Sequence, residues 1–195
     1  MSERSKYHVI LASNSPRRRE LLAGLDIPFE VKVLPDIAEN YPCDLPVSQI
    51  AEYIAVEKAE AYKRAMSPDD LIITADTVVI VGNRVLGKPA DAQEATGMLR
   101  LLSGRTHQVT TGVCITTLHR QSRFSVTTDV TFKQLSSEEI SHYVTVYRPF
   151  DKAGAYGIQE WIGYIGVTGL HGSYFNVMGL PVQRIYDELS NMGVM

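Results

Sequence analysis

Val9-Ile10-Leu11-Ala12-Ser13-Asn14-Ser15-Pro16-Arg17-Arg18-Arg19-Glu20-Leu21-Leu22 is the stretch from which the rest of this chain can be read. The apolar residues Val9 to Ala12 read as a strand. Two small hydroxyl residues follow, and Pro16 then opens an amphipathic helix. Ser15 suits the N-cap, and Pro16 suits the first helical position, where its missing N–H costs nothing. The free N–H groups and positive dipole end of such a helix meet Arg17 and its neighbours at one place. A polyanion suits that site, a phosphate chain foremost. The same arginines also suit a solvated helix face after an ordinary cap, so the local pattern leaves both readings open.

Outward from this stretch, strand 7–12 feeds a helix that ends near Gly24, a natural C′ residue. A strand at 29–33 precedes an irregular acidic segment, Pro35-Asp36-Ile37-Ala38-Glu39-Asn40. In 47–66, Val47, Ile50, Ala51, Ile54, Ala55, Ala59 and Tyr62 recur at helical spacing and predict one long helix. Residues 71–74 read as a short strand leading to Asp76, and 78–81 with 84–86 flank Gly82-Asn83 as a hairpin. Asp91 with Glu94, and Ser136 with Glu139, are capping-box patterns that start helices to about Leu102 and Val146. Between them, 108–117 and 123–133 predict a long antiparallel hairpin. The Gly-rich stretch 152–172 is expected to hold a strand at 161–167, and Pro181 begins a last helix with Val182, Ile185 and Leu189 on its apolar face. The mixture predicts an α/β fold with a mixed rather than purely parallel sheet.

At 195 residues the chain is read as one domain, 1–195, large enough to bury roughly 70% of its unfolded surface. Hydrophobic residues at 45% and charged residues at 21% are ordinary for a globular protein. A formal net charge of −3 argues against broad nucleic-acid binding, which needs a basic face, but allows a small anionic substrate. Cys43 and Cys114 lie far apart without metal or redox spacing and read as idle thiols. His8, His107, His119, His142 and His171 show no ligand spacing. With no signal-peptide pattern and no apolar run of membrane length, a cytoplasmic protein without a membrane partner is expected.

Four motifs carry a family resemblance. Ser13-x-Ser15-Pro16-Arg17-Arg18, Ala75-Asp76-Thr77-Val78-Val79, Gly87-Lys88-Pro89 and Asp151-Lys152-Ala153-Gly154-Ala155-Tyr156-Gly157-Ile158-Gln159 resemble, in order and spacing, the Maf family of nucleoside triphosphate pyrophosphatases. The resemblance runs from about residue 8 to 190. It implies an elongated mixed β-sheet flanked by helices, with two lobes around a cleft, as in Maf- and ITPase-like proteins. It also implies a homodimer, and hydrolysis of a nucleotide between its α- and β-phosphates to the monophosphate and pyrophosphate.

That reaction needs a neutralised leaving group, an activated water and an in-line arrangement of both. Arg17 and Arg18 suit bidentate phosphate contacts beside Ser13 and Ser15. Lys58, Lys88 and Lys152 suit point charges, although Lys58 also suits a solvated helix position. Asp76, following an apolar strand, can take a proton from water, hold a divalent ion (Mg²⁺ or Mn²⁺), or do both; it also suits a turn or cap. Glu39, and less strongly Asp36, can add oxygen ligands, or belong to a solvated loop.

The resemblance divides a branch acting on thymidine and uridine triphosphates from one acting on 7-methylguanosine triphosphate. Arg17, Thr77 and Gln159 match the first. Gln159 both donates and accepts, so it can pair with a pyrimidine's carbonyl and N–H edge; by residue chemistry alone, Thr77 also suits a β-branched strand position and Gln159 a surface amide. The expected activity is therefore metal-assisted hydrolysis of dTTP and UTP, extending to modified pyrimidine nucleotides. The alternatives are the 7-methylguanosine branch, and a nucleotide-binding regulator of septum formation with little turnover. Asn176, in a further family-like segment, is assigned no catalytic role.

Overall fold

The structure, a computed structural model, describes residues 7–35 and 37–194. Its sheet has seven strands in the order β2-β1-β3-β5-β6-β7, with β4 added to β3. These are β1 (His8–Leu11), β2 (Glu30–Val31), β3 (Asp70–Val81), β4 (Arg84–Leu86), β5 (Thr106–Thr116), β6 (Gln121–Phe132) and β7 (Val167–His171). The helices are α1 (Pro16–Ala23), α2 (Ile50–Lys63), α3 (Ala92–Leu102), α4 (Ser137–Tyr147), α5 (Trp161–Gly166), α6 (Tyr174–Met178) and α7 (Val182–Asn191). β1 pairs in parallel with β2 and β3, whereas β4 on β3 and β7 on β6 are antiparallel. The expected α/β class with a mixed sheet is therefore what forms.

The chain divides into two compact units, one of residues 1–76, 111–126 and 179–195, the other of 77–110 and 127–178. In the first, Ile10, Ala12 and Ile72 pack with Tyr62 of α2. The Tyr62 hydroxyl donates to the Lys32 carbonyl (3.0 Å) and accepts from the Leu34 N–H (2.8 Å), so one aromatic residue ties α2 to the chain after β2. Ala55 and Ala59 meet Cys114 of β5. There α2 comes so close that a Cβ on Gly112 would lie 2.2 Å from the Ala51 carbonyl carbon. Only glycine permits that approach.

The second unit is built on a larger core, in which Leu99 and Leu102 of α3, Phe132 of β6, Tyr143 of α4 and Tyr156 pack together. Thr106 with Thr131, Gln108 with Asp129, and Thr110 with Thr127 bond across β5 and β6, so the numbers rise on one strand as they fall on the other, as a hairpin requires. The Ser136 capping box closes in both directions, with the Glu139 N–H on Ser136 Oγ at 3.1 Å and the Ser136 N–H on Glu139 Oε2 at 2.8 Å. At α3 the Glu94 carboxylate instead reaches the Ala90 N–H, one residue earlier than a capping box would have it.

Four expectations are corrected. The long helix 47–66 is a short 3₁₀ turn, Val47–Gln49, followed by α2, which stops at Lys63. Gly24 ends α1 where expected, but as its C-cap with right-handed backbone (φ −65°) and not as the C′ residue. The predicted strands 71–74 and 78–81 are one strand, β3, running through Asp76. It pairs in parallel with β1 from Asp70 to Ile73 and antiparallel with β4 from Val79, so Asp76 stands where its partner changes and not beyond its end. Residues 161–166 form α5 rather than a strand. Ile162 is fully buried while Tyr164 is 80% exposed. A strand would put both on one face; a helix turns them about 200° apart. The Gly163 and Tyr164 N–H groups bond to the Glu160 carbonyl and start the turn.

Candidate active site

The first unit assembles a compact charged cluster from three elements and one loop. At the start of α1, Ser15 is the N-cap, its Oγ accepting from the Arg18 N–H at 3.4 Å. The Ser13 Oγ accepts from the Ser15 N–H at 3.2 Å, so both hydroxyls shape the turn between β1 and α1. Arg18 is pinned by backbone: Nε donates to the Gly179 carbonyl and Nη1 to the Ala75 carbonyl, each at 2.8 Å. Burial lowers its pKa from the ordinary value, Asp76 and Glu39 oppose that fall, and Arg17 adds to it. Arg17 and Arg18 are both half-buried. The residue after Ala75 is Asp76, buried on β3. Its Oδ1 lies 2.9 Å from Nζ of Lys58 on α2, and the same ammonium lies 2.7 Å from Glu39 Oε1. The Lys58 and Asp76 side chains are 13% and 12% exposed, Glu39 47%. Lys58 is therefore not a solvated helix residue, and Glu39 is drawn into the cluster. Asp36 lies outside the described residues.

Thr77, Lys88, Lys152 and Gln159 belong to the second unit. Thr77 is half-buried on β3, and Lys88 is exposed between Gly87 and buried Pro89. The Gly87 carbonyl accepts from the Gly154 N–H at 3.0 Å, tying this turn to the 151–159 segment. Lys152 is buried, with Nζ 2.7 Å from Asp151 Oδ1 and 3.0 Å from Glu160 Oε1. The Tyr143 hydroxyl donates to the same Glu160 carboxylate and accepts from the Gly157 N–H at 3.0 Å. Burial, with Glu160 beside it, pushes the Tyr143 hydroxyl pKa up. Gln159 Oε1 is buried with no hydrogen-bond partner among the described residues. Sequence reasoning missed Tyr143 and Glu160. Their only linear trace is a carboxylate eight residues after Lys152, a spacing that means nothing until the loop closes.

Of the other conspicuous side chains, Asn176 is fully buried and donates to the Val109 carbonyl and Thr128 Oγ1, both at 3.0 Å, as a scaffold contact. His107 is buried against Phe132 and Tyr156, with Nε2 bonded to the Tyr156 hydroxyl at 2.7 Å. Both cysteines are free thiols, Cys43 exposed and Cys114 buried. Among the described residues no cluster of three or more His, Cys, Asp and Glu side chains is placed to hold a metal ion. Two carboxylates converging on one cation do make a hard oxygen donor pair, the chemistry Mg²⁺ takes when phosphates and waters complete its shell. No helix of the described residues is long and apolar enough to cross a membrane.

The fold is α/β with a mixed sheet, and its cluster of serine caps, arginine, lysine and paired carboxylates fits a class of proteins that handle phosphate anhydrides. The chain belongs to the Maf-like protein family, whose description matches residues 8–192. It is 62% identical over 187 residues to the dTTP/UTP pyrophosphatase of Phocaeicola vulgatus, covering 96% of this chain and 97% of that one. It is 56% identical over 187 residues to the protein of the same name from Bacteroides thetaiotaomicron, with the same coverage of 96% and 97%. Among solved structures, the Ham1 protein of Staphylococcus aureus shares the fold at 15% identity and a TM-score of 0.53, covering 95% of this chain and 99% of that one.

Proposed function

We propose that this chain is a nucleoside triphosphate pyrophosphatase that hydrolyses dTTP and UTP, and modified pyrimidine triphosphates, to the monophosphate and pyrophosphate. The observation that carries this reading is the Lys58 ammonium held between Asp76 and Glu39, with Arg18 of α1 bonded to the carbonyl just before Asp76. Water attacks phosphorus at the α–β bridge, the bridging P–O bond breaks, and pyrophosphate leaves. Asp76 takes the proton from the attacking water, and Lys58 orients its carboxylate. The hydroxyls of Ser13 and Ser15, with the Arg17 side chain and the positive dipole end of α1, bind phosphate oxygens, since the Ser15 and Arg18 N–H groups are bonded within the turn and Pro16 has none. Arg18 acts mainly by fixing α1 to β3, since two of its donors are spent on carbonyls. Asp76 and Glu39 would hold a divalent cation, Mg²⁺ or Mn²⁺, which neutralises phosphate charge when bound.

Thr77 and Gln159 are assigned to base preference, and Lys88 to phosphate charge. Lys152, bonded to two carboxylates, is assigned to holding its own segment. The working form is taken as a cytoplasmic homodimer without nucleic-acid or membrane partners. The test is pyrophosphate release across a panel of nucleoside triphosphates with Mg²⁺ or Mn²⁺. Release is expected from UTP and dTTP first, and no release from any pyrimidine triphosphate would reject the assignment.

A further inference from the structure

The 151–159 segment is held by a clamp that the reaction itself does not require. Lys152, at its start, and Glu160, just past its end, form an ion pair at 3.0 Å. That pair lies over Gly157 so closely that a Cβ there would sit 2.9 Å from Glu160 Cδ and 3.1 Å from Lys152 Cε. Tyr143, from the core face of α4, donates to the Glu160 carboxylate and accepts from the Gly157 N–H. Three side chains thus fix both ends and the middle of one short loop.

Between Gly157 and Glu160 stands Gln159, whose Oε1 is buried without a partner among the described residues. A buried acceptor left unpaired is costly, and at this position the N–H of a bound base can supply the missing hydrogen. An amide can turn over. With Oε1 held as the acceptor and Nε2 as the donor, it matches the N–H and carbonyl of a uracil edge; reversed, it matches the ring nitrogen and amino group of cytosine.

We propose that Tyr143, Glu160 and Lys152 form a specificity clamp that holds the Gln159 amide in its uracil-reading orientation, Tyr143 and Glu160 being positioning residues. The inference rests on the reading of Gln159 as a base contact and deepens it. Loosening the clamp frees the segment to present either edge of the amide, so the cost falls on discrimination more than on turnover.

The test compares kcat/KM on UTP and on CTP for the full-length enzyme and three variants. Tyr143→Phe removes the hydroxyl and keeps the ring. Glu160→Gln, at a side chain 21% exposed, weakens the ion pair and leaves the Tyr143 core contact in place. Each is expected to lower the UTP-to-CTP ratio about fivefold, the effect of losing roughly one hydrogen bond's net contribution. Gln159→Leu distinguishes base reading from the support given to it. If it collapses the ratio while Tyr143→Phe and Glu160→Gln keep wild-type ratios at lowered melting temperatures, the clamp is only scaffold and the proposal is overturned. If Gln159→Leu itself leaves the ratio unchanged, the base-reading role fails and the proposal falls with it.

Discussion

Replacing Asp76 with asparagine separates chemistry from scaffold at the proposed site. The exchange keeps the size and shape of a side chain that is 12% exposed and removes its charge and proton affinity. Lys58 keeps its second carboxylate, Glu39, at 2.7 Å, so no buried cation is left unpaired. Losing the charge-assisted bond to a largely buried ammonium costs about 2 kcal/mol, or roughly 4–8 °C of melting temperature for a chain of this length. Loss of a general base costs about 10²–10⁴-fold in rate, and a thousandfold loss corresponds to about 4 kcal/mol of barrier. Activity is therefore expected to fall about a thousandfold while the fold survives. Calorimetric affinity for UTP, measured with EDTA present, should hold or tighten, because a negative charge has left a polyanion site. Pyrophosphate release gives the rate and a thermal melt gives the stability. A kcat within about tenfold of wild type would remove Asp76 as base. A melting temperature lowered by more than about 10 °C would reassign it to the scaffold.

Burial holds His107 down to about 4 from an ordinary value of 6.5, so the unfolded chain binds the extra proton first as acid is added. The stabilisation is complete above about pH 6.5 and is lost as pH falls from there toward 4, up to about 3 kcal/mol in all. His107→Gln should flatten urea-unfolding stability against pH across that window, and an unchanged slope would refute this source. Gly112→Ala places a methyl group 2.2 Å from the Ala51 carbonyl carbon and from the Glu52 nitrogen, backbone atoms that cannot rotate away. We expect a loss of about 3 kcal/mol or more, seen as a melting temperature at least about 6 °C lower. A melt within about 2 °C of wild type would disprove the close approach of α2 to β5.

Much of the chain was legible because its signals are local. Ser15-Pro16 marks a cap and a first helical position whose chemistry is complete within four residues. Gly82-Asn83 turns the hairpin as its dipeptide predicts, and Ser136 with Glu139 closes the capping box it spells. The apolar face of α2 buries Ile50, Ala51, Ile54, Ala55, Ala59 and Tyr62, the residues its periodicity picked out, with Val47 left half-buried in the turn before it. The segment from Trp161 to Gly166 failed because its apolar and glycine residues satisfy no single period. Packing against the rest of the second unit, and not local propensity, buries Ile162 while leaving Tyr164 in solvent.

The sequence by itself determined which residues could do phosphate chemistry: short motifs with fixed caps, a carboxylate within an apolar run, and cations at turns. Tertiary structure decided their employment. Lys58 and Asp76 stand eighteen positions apart yet meet at 2.9 Å, because β3 runs on beyond its pairing with β1 and α2 packs close by. Arg18 gives two donors to Ala75 and Gly179, distant carbonyls that no linear pattern reveals. A side chain's type fixes what bonds it can make, but only the path of the backbone brings the partner within hydrogen-bonding distance.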